Sequence, residues 1–149
     1  MSFHTLLYHV VFSTKCRARL ISTDVEHDVY HILYHQLMKF KCYVHRIGGM
    51  PDHVHILLEI PPNIAVSEVI KILKQESTKE IRQRKIIPQW DGWEAGYGVF
   101  SYSRQELPTV KQYIANQKEH HRKVSFSEEY RLWLIENGVD PSHPFFPKE

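Results

Sequence analysis

The chain has 149 residues, 42% hydrophobic and 24% charged, a balance that excludes intrinsic disorder and supplies a core without disulfides or a structural metal. A formal net charge of +2 does not by itself announce a nucleic-acid partner, and no apolar run approaches the roughly 20 residues of a membrane helix. Cys16 and Cys42 have neither metal nor redox spacing, and no basic, cleavable leader surrounds the apolar residues 3–12. The expectation is a soluble cytoplasmic protein of one domain over residues 1–149, with a core over about 3–122 and a C-terminal helix and tail over 123–149.

Residues 3–13 are rich in β-formers (Tyr8, Val10, Val11, Phe12) and read as a first strand that ends in a basic turn with Lys15, Arg17 and Arg19. Thr23 and Glu26 have the spacing of a capping box. Val25, Val29, Ile32, Leu33, Leu37 and Phe40 recur at helical spacing, so a helix is expected over about 23–40. A second strand over 42–47 is followed by Gly48-Gly49-Met50-Pro51, a strong turn signal, and then by a third strand over 51–60. In that third strand His53 and His55 leave one face while Val54, Ile56, Leu58 and Ile60 fill the other.

After Pro61-Pro62-Asn63 a second amphipathic helix carries Val66, Val69, Ile70, Leu73, Ser77 and Ile81 on one face and Lys71, Lys74, Lys79, Arg82, Arg84 and Lys85 on a flank. That basic flank is either solvated surface or a phosphate-binding face. A loop over 86–98 holds Trp90 and Trp93, which either stack on bases or anchor the loop, and it delivers the chain to a fourth strand over about 97–102. The order β-α-β-β-α-β predicts an α+β, ferredoxin-like (RRM-like) fold whose four-stranded antiparallel sheet has helices on one face. The other face, carrying His53 and His55, is expected to be open.

A third helix is expected from between Ser103, paired with Glu106, and Pro108 through to about His121, with a thin apolar face and weak packing on its own domain. A short last helix over about 127–137 stops at Gly138, and an extended tail covers 140–149.

Two imidazoles on a rigid strand can share a metal ion. Tyr113 and Gln117, four apart, share a helix face, with His120 and His121 one turn further on. Brought beside the imidazoles, the phenol would be a nucleophile next to a three-ligand metal centre. A phenol of pKa about 10 attacks a phosphodiester poorly unless a cation polarises the phosphate. Two imidazoles and an amide oxygen leave coordination positions open, which suits Mg²⁺ or Mn²⁺ rather than a closed zinc site. Tyr97, between Gly96 and Gly98, is the rival nucleophile. His120 or His121 is the rival to Gln117 as ligand, and Asp52 either orients a histidine or is only a turn residue.

The run Gly48-Gly49-Met50-Pro51-Asp52-His53-Val54-His55, the opening Tyr8-His9-Val10-Val11-Phe12-Ser13-Thr14-Lys15, and Tyr113-x-x-x-Gln117 together resemble the HUH single-tyrosine transposases over about residues 5–137. These are the TnpA-type insertion-sequence and REP-associated tyrosine transposases. The resemblance implies that His53 and His55 are the paired metal ligands, Tyr113 the nucleophile and Gln117 the third ligand. It implies cleavage and rejoining of single-stranded DNA at insertion-sequence ends through a 5′-phosphotyrosine, with release of a 3′-hydroxyl and no nucleotide cofactor. It also implies hairpin-bearing DNA ends as substrate, and a homodimer in which the tyrosine helix of one subunit commonly completes the other's histidine site. Lys15, Arg17, Arg19 and the flank Lys71, Lys74, Lys79 and Arg82 would contact the hairpins. The reading from another class is a noncatalytic nucleic-acid-binding module on the same sheet. A replication initiator or relaxase with this chemistry would usually need a larger chain.

Overall fold

Strand β1 (Leu7–Ser13) lies at the centre of the sheet and positions everything else. In the computed structural model, which describes residues 1–122 and 124–142, β1 pairs antiparallel with β3 (His53–Glu59) on one side and with β4 (Gly98–Tyr102) on the other. β2 (Tyr43–Met50) pairs with β3 and completes the order β2-β3-β1-β4. With α1 (Glu26–Met38) and α2 (Val66–Gln83) as the crossovers, this is the expected ferredoxin-like α+β arrangement. Three further helices follow: α3 (Leu107–Ala115), α4 (Gln117–His120) and α5 (Phe126–Glu136). Among the described residues no helix is long and apolar enough to cross a membrane. The expected tail falls beyond Ser142 for most of its length and lies outside the described residues.

The period of two in the strands divides the interior into two layers. Val10 and Phe12 of β1 and Val54, Ile56 and Leu58 of β3 face α1 and α2, where Val29, Ile32, Leu33, Leu37, Val69, Ile70, Leu73 and Ile81 meet them in one buried cluster. Each such side chain contributes about 1.5–3 kcal/mol by leaving water. Trp90 and Trp93 belong to this layer. Trp93 packs edge-on against Phe12 with ring centres 4.8 Å apart, and the indole N–H groups donate to Thr78 and Ser77 of α2. They anchor the loop.

The opposite face is not open, which corrects the expectation. Leu7 and Leu57 form a second apolar cluster with Val110 and Ile114 of α3, and α5 lies over the remainder. The third helix is therefore packed through one narrow stripe of Val110, Ile114 and Gln117, all buried, rather than held weakly. It is also not continuous. Asn116 leaves helical geometry (φ −97°, ψ 18°) between α3 and α4, a position where an asparagine side chain competes with the helical backbone. The Ser103/Glu106 capping box forms, in a short 3₁₀ turn that feeds α3, and Pro108 sits in the first turn of the helix.

Two boundaries differ for local reasons. α1 begins at Glu26, not Thr23: the backbone N–H groups of Val25 and Glu26 bond to Ser22, and the Glu26 carboxylate accepts from Lys118 Nζ at 2.6 Å instead of closing a capping box. Gly48, Gly49 and Met50 are strand residues, and the turn contracts to Pro51-Asp52. The reason for Gly48 is contact: a Cβ there would lie 2.7 Å from the Ile114 carbonyl oxygen and 2.9 Å from its Cγ2. The α3 backbone rests directly on β2. Gly48→Ala is expected to push α3 outward and cost about 1–3 kcal/mol, read as a lowered midpoint in thermal denaturation.

Candidate active site

β3 is flanked on both sides, so its side chains are held on a rigid sheet. His53 is opposite Ser13 and His55 opposite Val11, and the two imidazoles stand with ring centres 5.1 Å apart, 0% and 1% exposed. Each ring is fixed at Nδ1 by an outer partner. His53 Nδ1 donates to Asp52 Oδ1 at 2.8 Å, and His55 Nδ1 shares a hydrogen bond with His9 Nε2 at 2.7 Å. Both Nε2 atoms are thereby turned inward, the arrangement in which a second partner orients a histidine for metal binding.

The other half of the site comes from α3, α4 and α5. The Tyr113 ring stands 6.1 Å from that of His55, within one chain, and its hydroxyl donates to Glu129 Oε2. Gln117 Oε1 lies 3.2 Å from His53 Nε2, while Gln117 Nε2 donates to Glu129 Oε2 at 3.2 Å. His121 Nε2 and His120 Nε2 are each 3.1 Å from the same carboxylate oxygen. Phe126 stacks on His53 with ring centres 4.0 Å apart and Trp133 packs edge-on against His9 at 4.2 Å, so α5 seals the imidazoles from solvent.

Ligand atoms of His53, His55, His121 and Glu129 all lie within 4.8 Å of one another. The chemistry of this donor set fits a cation. Once His53 Nδ1–H is given to Asp52, a neutral ring presents its Nε2 lone pair to another acceptor, Gln117 Oε1. His55 Nε2 and Glu129 Oε1 are 3.0 Å apart but not aligned as a hydrogen bond, and both atoms are buried without a partner. Acceptors converging in a dry site are costly unless a positive charge lies among them.

The electrostatics follow from burial. Desolvation is the main cause that pushes the His55 imidazole down to about 4, with the Glu129 charge opposing it, so His55 is neutral near pH 7. His9 is lowered too, by burial first and then by His55. For Asp52, burial acts upward, but the His53 hydrogen bond and the charges of Arg17 and Arg19 oppose it, and the carboxyl is held below its ordinary value. Burial likewise acts upward on Glu129, and the surrounding His121, His55 and Tyr113 contacts reverse it to a strong lowering. Tyr113 is pushed far up by burial and by the Glu129 carboxylate that holds its proton.

His53, His55, Tyr113 and Gln117 thus come together, with Asp52 behind His53 and with both His120 and His121 against Glu129. Tyr97 is apart from the imidazoles, its ring lying under Lys74 Nζ at 5.8 Å. Arg17 reaches the edge of the site: it donates to Ser127 and lies 5.3 Å over the Phe126 ring of α5. Lys15 is 3.9 Å from Asp91, and Arg19 is exposed. Lys71, Lys79 and Arg82 sit on α2, across the sheet from the histidines. Lys74 is occupied with the carbonyls of Glu94 and Gly96.

Sequence reasoning missed His9, Glu129 and Trp133. His9 had a signal, since it shares the strand parity of Leu7 and Val11 and so the face opposite Val10 and Phe12. Glu129 had none beyond its place in an otherwise ordinary first turn, because only the fold of α5 back over the sheet gives it partners.

Comparisons with known proteins identify the family to which the chain belongs. A family model described as "Transposase IS200 like" matches residues 2–117. The ISDra2 transposase TnpA of Deinococcus radiodurans is 28% identical over 123 residues, covering 78% of this chain and 86% of that protein. A crystal structure from Deinococcus radiodurans R1, assigned as a transposase, superposes with a TM-score of 0.61 at 25% identity over 78% of this chain and 95% of that one. A REP-associated tyrosine transposase solved bound to a REP hairpin shares the fold, with a TM-score of 0.56 at 17% identity over 83% and 76% of the two chains. With the family model spanning the strands that carry both histidines and the helix that carries Tyr113, the chain belongs to the IS200-like transposase family.

Proposed function

We propose that this transposase cleaves and rejoins single-stranded DNA at element ends by attack of Tyr113 on a phosphodiester, with a divalent cation at His53 and His55. The observation that carries this reading is the meeting, in one dry cluster, of Tyr113, two inward-turned imidazoles, Gln117 and Glu129. His53, His55, Gln117 and Glu129 would hold the ion, with His121 beside them. When bound, Mg²⁺ or Mn²⁺ would polarise the scissile phosphate and offset the charge that develops on it.

The chain's own residues do the remaining work. The Tyr113 oxygen forms the new bond to phosphorus as the bond to the 3′ oxygen breaks, which leaves a 5′-phosphotyrosine and a free 3′-hydroxyl. The 3′ oxygen takes up a proton, and the Tyr113 proton is already directed at Glu129 Oε2. The ester linkage keeps the bond energy, so the reverse step at a new junction needs no nucleotide. Asp52 and His9 hold the imidazole rings at Nδ1. Because His53 and His55 are sealed beneath Phe126 and Trp133, DNA reaches them only after α5 lifts, and the groove along Pro108, Gln112, Tyr113 and Asn116 is the side from which a strand approaches Tyr113.

Hairpin-bearing ends are the substrate we propose, by likeness to the hairpin-bound relative. Arg17, beside α5, is the basic residue best placed to meet the DNA. The arrangement of Tyr113 and His55 in one chain supports attack within a subunit. The test is incubation of the protein with Mg²⁺ and single-stranded DNA from the hairpins flanking its own coding sequence. A denaturation-resistant protein–DNA adduct that chelator prevents is expected. Binding without any adduct would instead identify a noncatalytic module. His9→Leu is expected to loosen His55 and lower Mn²⁺ affinity by about 10–100-fold, measured by direct titration.

A further inference from the structure

The helix layer on the far side of the sheet carries a second set of imidazoles. His27, His31 and His35 follow one another at intervals of four along the solvent face of α1, while Val29, Ile32, Leu33 and Leu37 take its buried face. Residues four apart on a helix are neighbours, one turn above the other. The ring centres of His27 and His31 are 4.7 Å apart, and those of His31 and His35 are 5.6 Å apart.

These spacings match what one ion requires. A ligand nitrogen about 2.1 Å from the ion, with the ring centre about 1.2 Å beyond it and a tetrahedral angle between two rings, places the centres roughly 5 Å apart. The two α1 spacings bracket that value, and they also bracket the 5.1 Å between His53 and His55. Among the described residues no hydrogen bond or ion pair ties these rings down in competition. The nearby His45 is engaged with Glu59 at 2.7 Å, and Tyr34 meets His35 only edge-on with ring centres 5.7 Å apart. All three histidines are exposed, so water can complete the coordination and an ion needs no opening of the fold.

We propose that α1 carries a separate surface site for imidazole-preferring divalent metals, Zn²⁺, Ni²⁺ or Cu²⁺, in which His31 is the shared ligand and pairs with either His27 or His35. Two neutral imidazoles and water suit these ions, whereas Mg²⁺ prefers oxygen donors and gains little here. This site does not depend on the reading of Tyr113, because α1 and the His53/His55 cluster lie on opposite faces of the sheet.

The experiment uses the full-length, untagged, chelator-stripped protein in two measurements: retention on immobilised Ni²⁺ and equilibrium titration with Zn²⁺. His31→Ala should bind one Zn²⁺ fewer than the unaltered protein and lose its retention. His27→Ala and His35→Ala should each keep the remaining pair and stay retained, and the double His27→Ala/His35→Ala variant should behave as His31→Ala does. The His53/His55 cluster is the same in every variant, so any ion bound there cancels in the comparison. Unchanged stoichiometry and retention in His31→Ala would overturn the proposal, as would full binding by the double variant.

Discussion

Tyr113→Phe is expected to abolish the covalent protein–DNA adduct, lowering strand cleavage by roughly four orders of magnitude or more, while leaving the fold and metal binding in place. The ring keeps its contacts, 5.0 Å from His120 and 5.4 Å from Trp133, because phenylalanine fills the same space. What disappears is the one hydroxyl directed at Glu129. Denaturing gel electrophoresis of the protein with labelled hairpin DNA reads the result directly, and a wild-type level of adduct in the variant would move the nucleophile elsewhere. Tyr97→Phe is the matched control and should cleave normally, since its ring lies under Lys74, away from the histidines.

The elements were legible where one physical signal dominated. The alternation of Val54, Ile56 and Leu58 with His53 and His55 fixed which residues face the helices. The helical spacing of Val69, Ile70, Leu73, Ser77 and Ile81 fixed the buried face of α2, and all five are buried. Gly138, with φ +82°, stops the last helix as a glycine there should. The same reasoning failed where a residue's role depends on a distant partner. Gly48-Gly49 reads as a turn from local chemistry, yet Gly48 serves the close approach of α3 to β2, which only tertiary packing dictates. Glu26 has capping-box spacing but is drawn to Lys118, 92 residues further along.

The covering of the expected open face has a related cause. The thin apolar stripe of α3 predicts weak packing, yet Val110 and Ile114 meet Leu7 and Leu57 in a buried cluster. Polar and aromatic contacts to the histidines themselves add to that cluster and hold the rest: Gln117 on His53, Glu129 on His55, Phe126 on His53, Trp133 on His9. The candidate site is thus also the glue of the last three helices. Opening it for DNA and loosening those helices are one event.

This double role gives the folded protein a marked sensitivity to acid. An unfolded imidazole titrates near ~6.5, whereas burial holds His55 to about 4 in the folded chain. Between these values the unfolded chain binds a proton that the folded chain refuses, so stability is fully present above about pH 6.5 and is lost as pH falls toward 4. His55 alone accounts for about 3 kcal/mol over that window, at ~1.4 kcal/mol per pH unit. His9, lowered by the same burial, acts in the same direction. Below the ordinary carboxylate range Glu129 and Asp52 continue the trend, since both are held ionised in the folded state and their unfolded forms protonate first. In chelator, thermal denaturation followed by circular dichroism should show the midpoint falling by about 4–8 °C between pH 7.5 and 5, as His55 alone loses about 2 kcal/mol there. Because α5 is held by this cluster, Trp133 fluorescence should change before the far-ultraviolet signal of the sheet does. A midpoint that stays level across that range would mean that the imidazoles are solvated, and that α5 does not seal them.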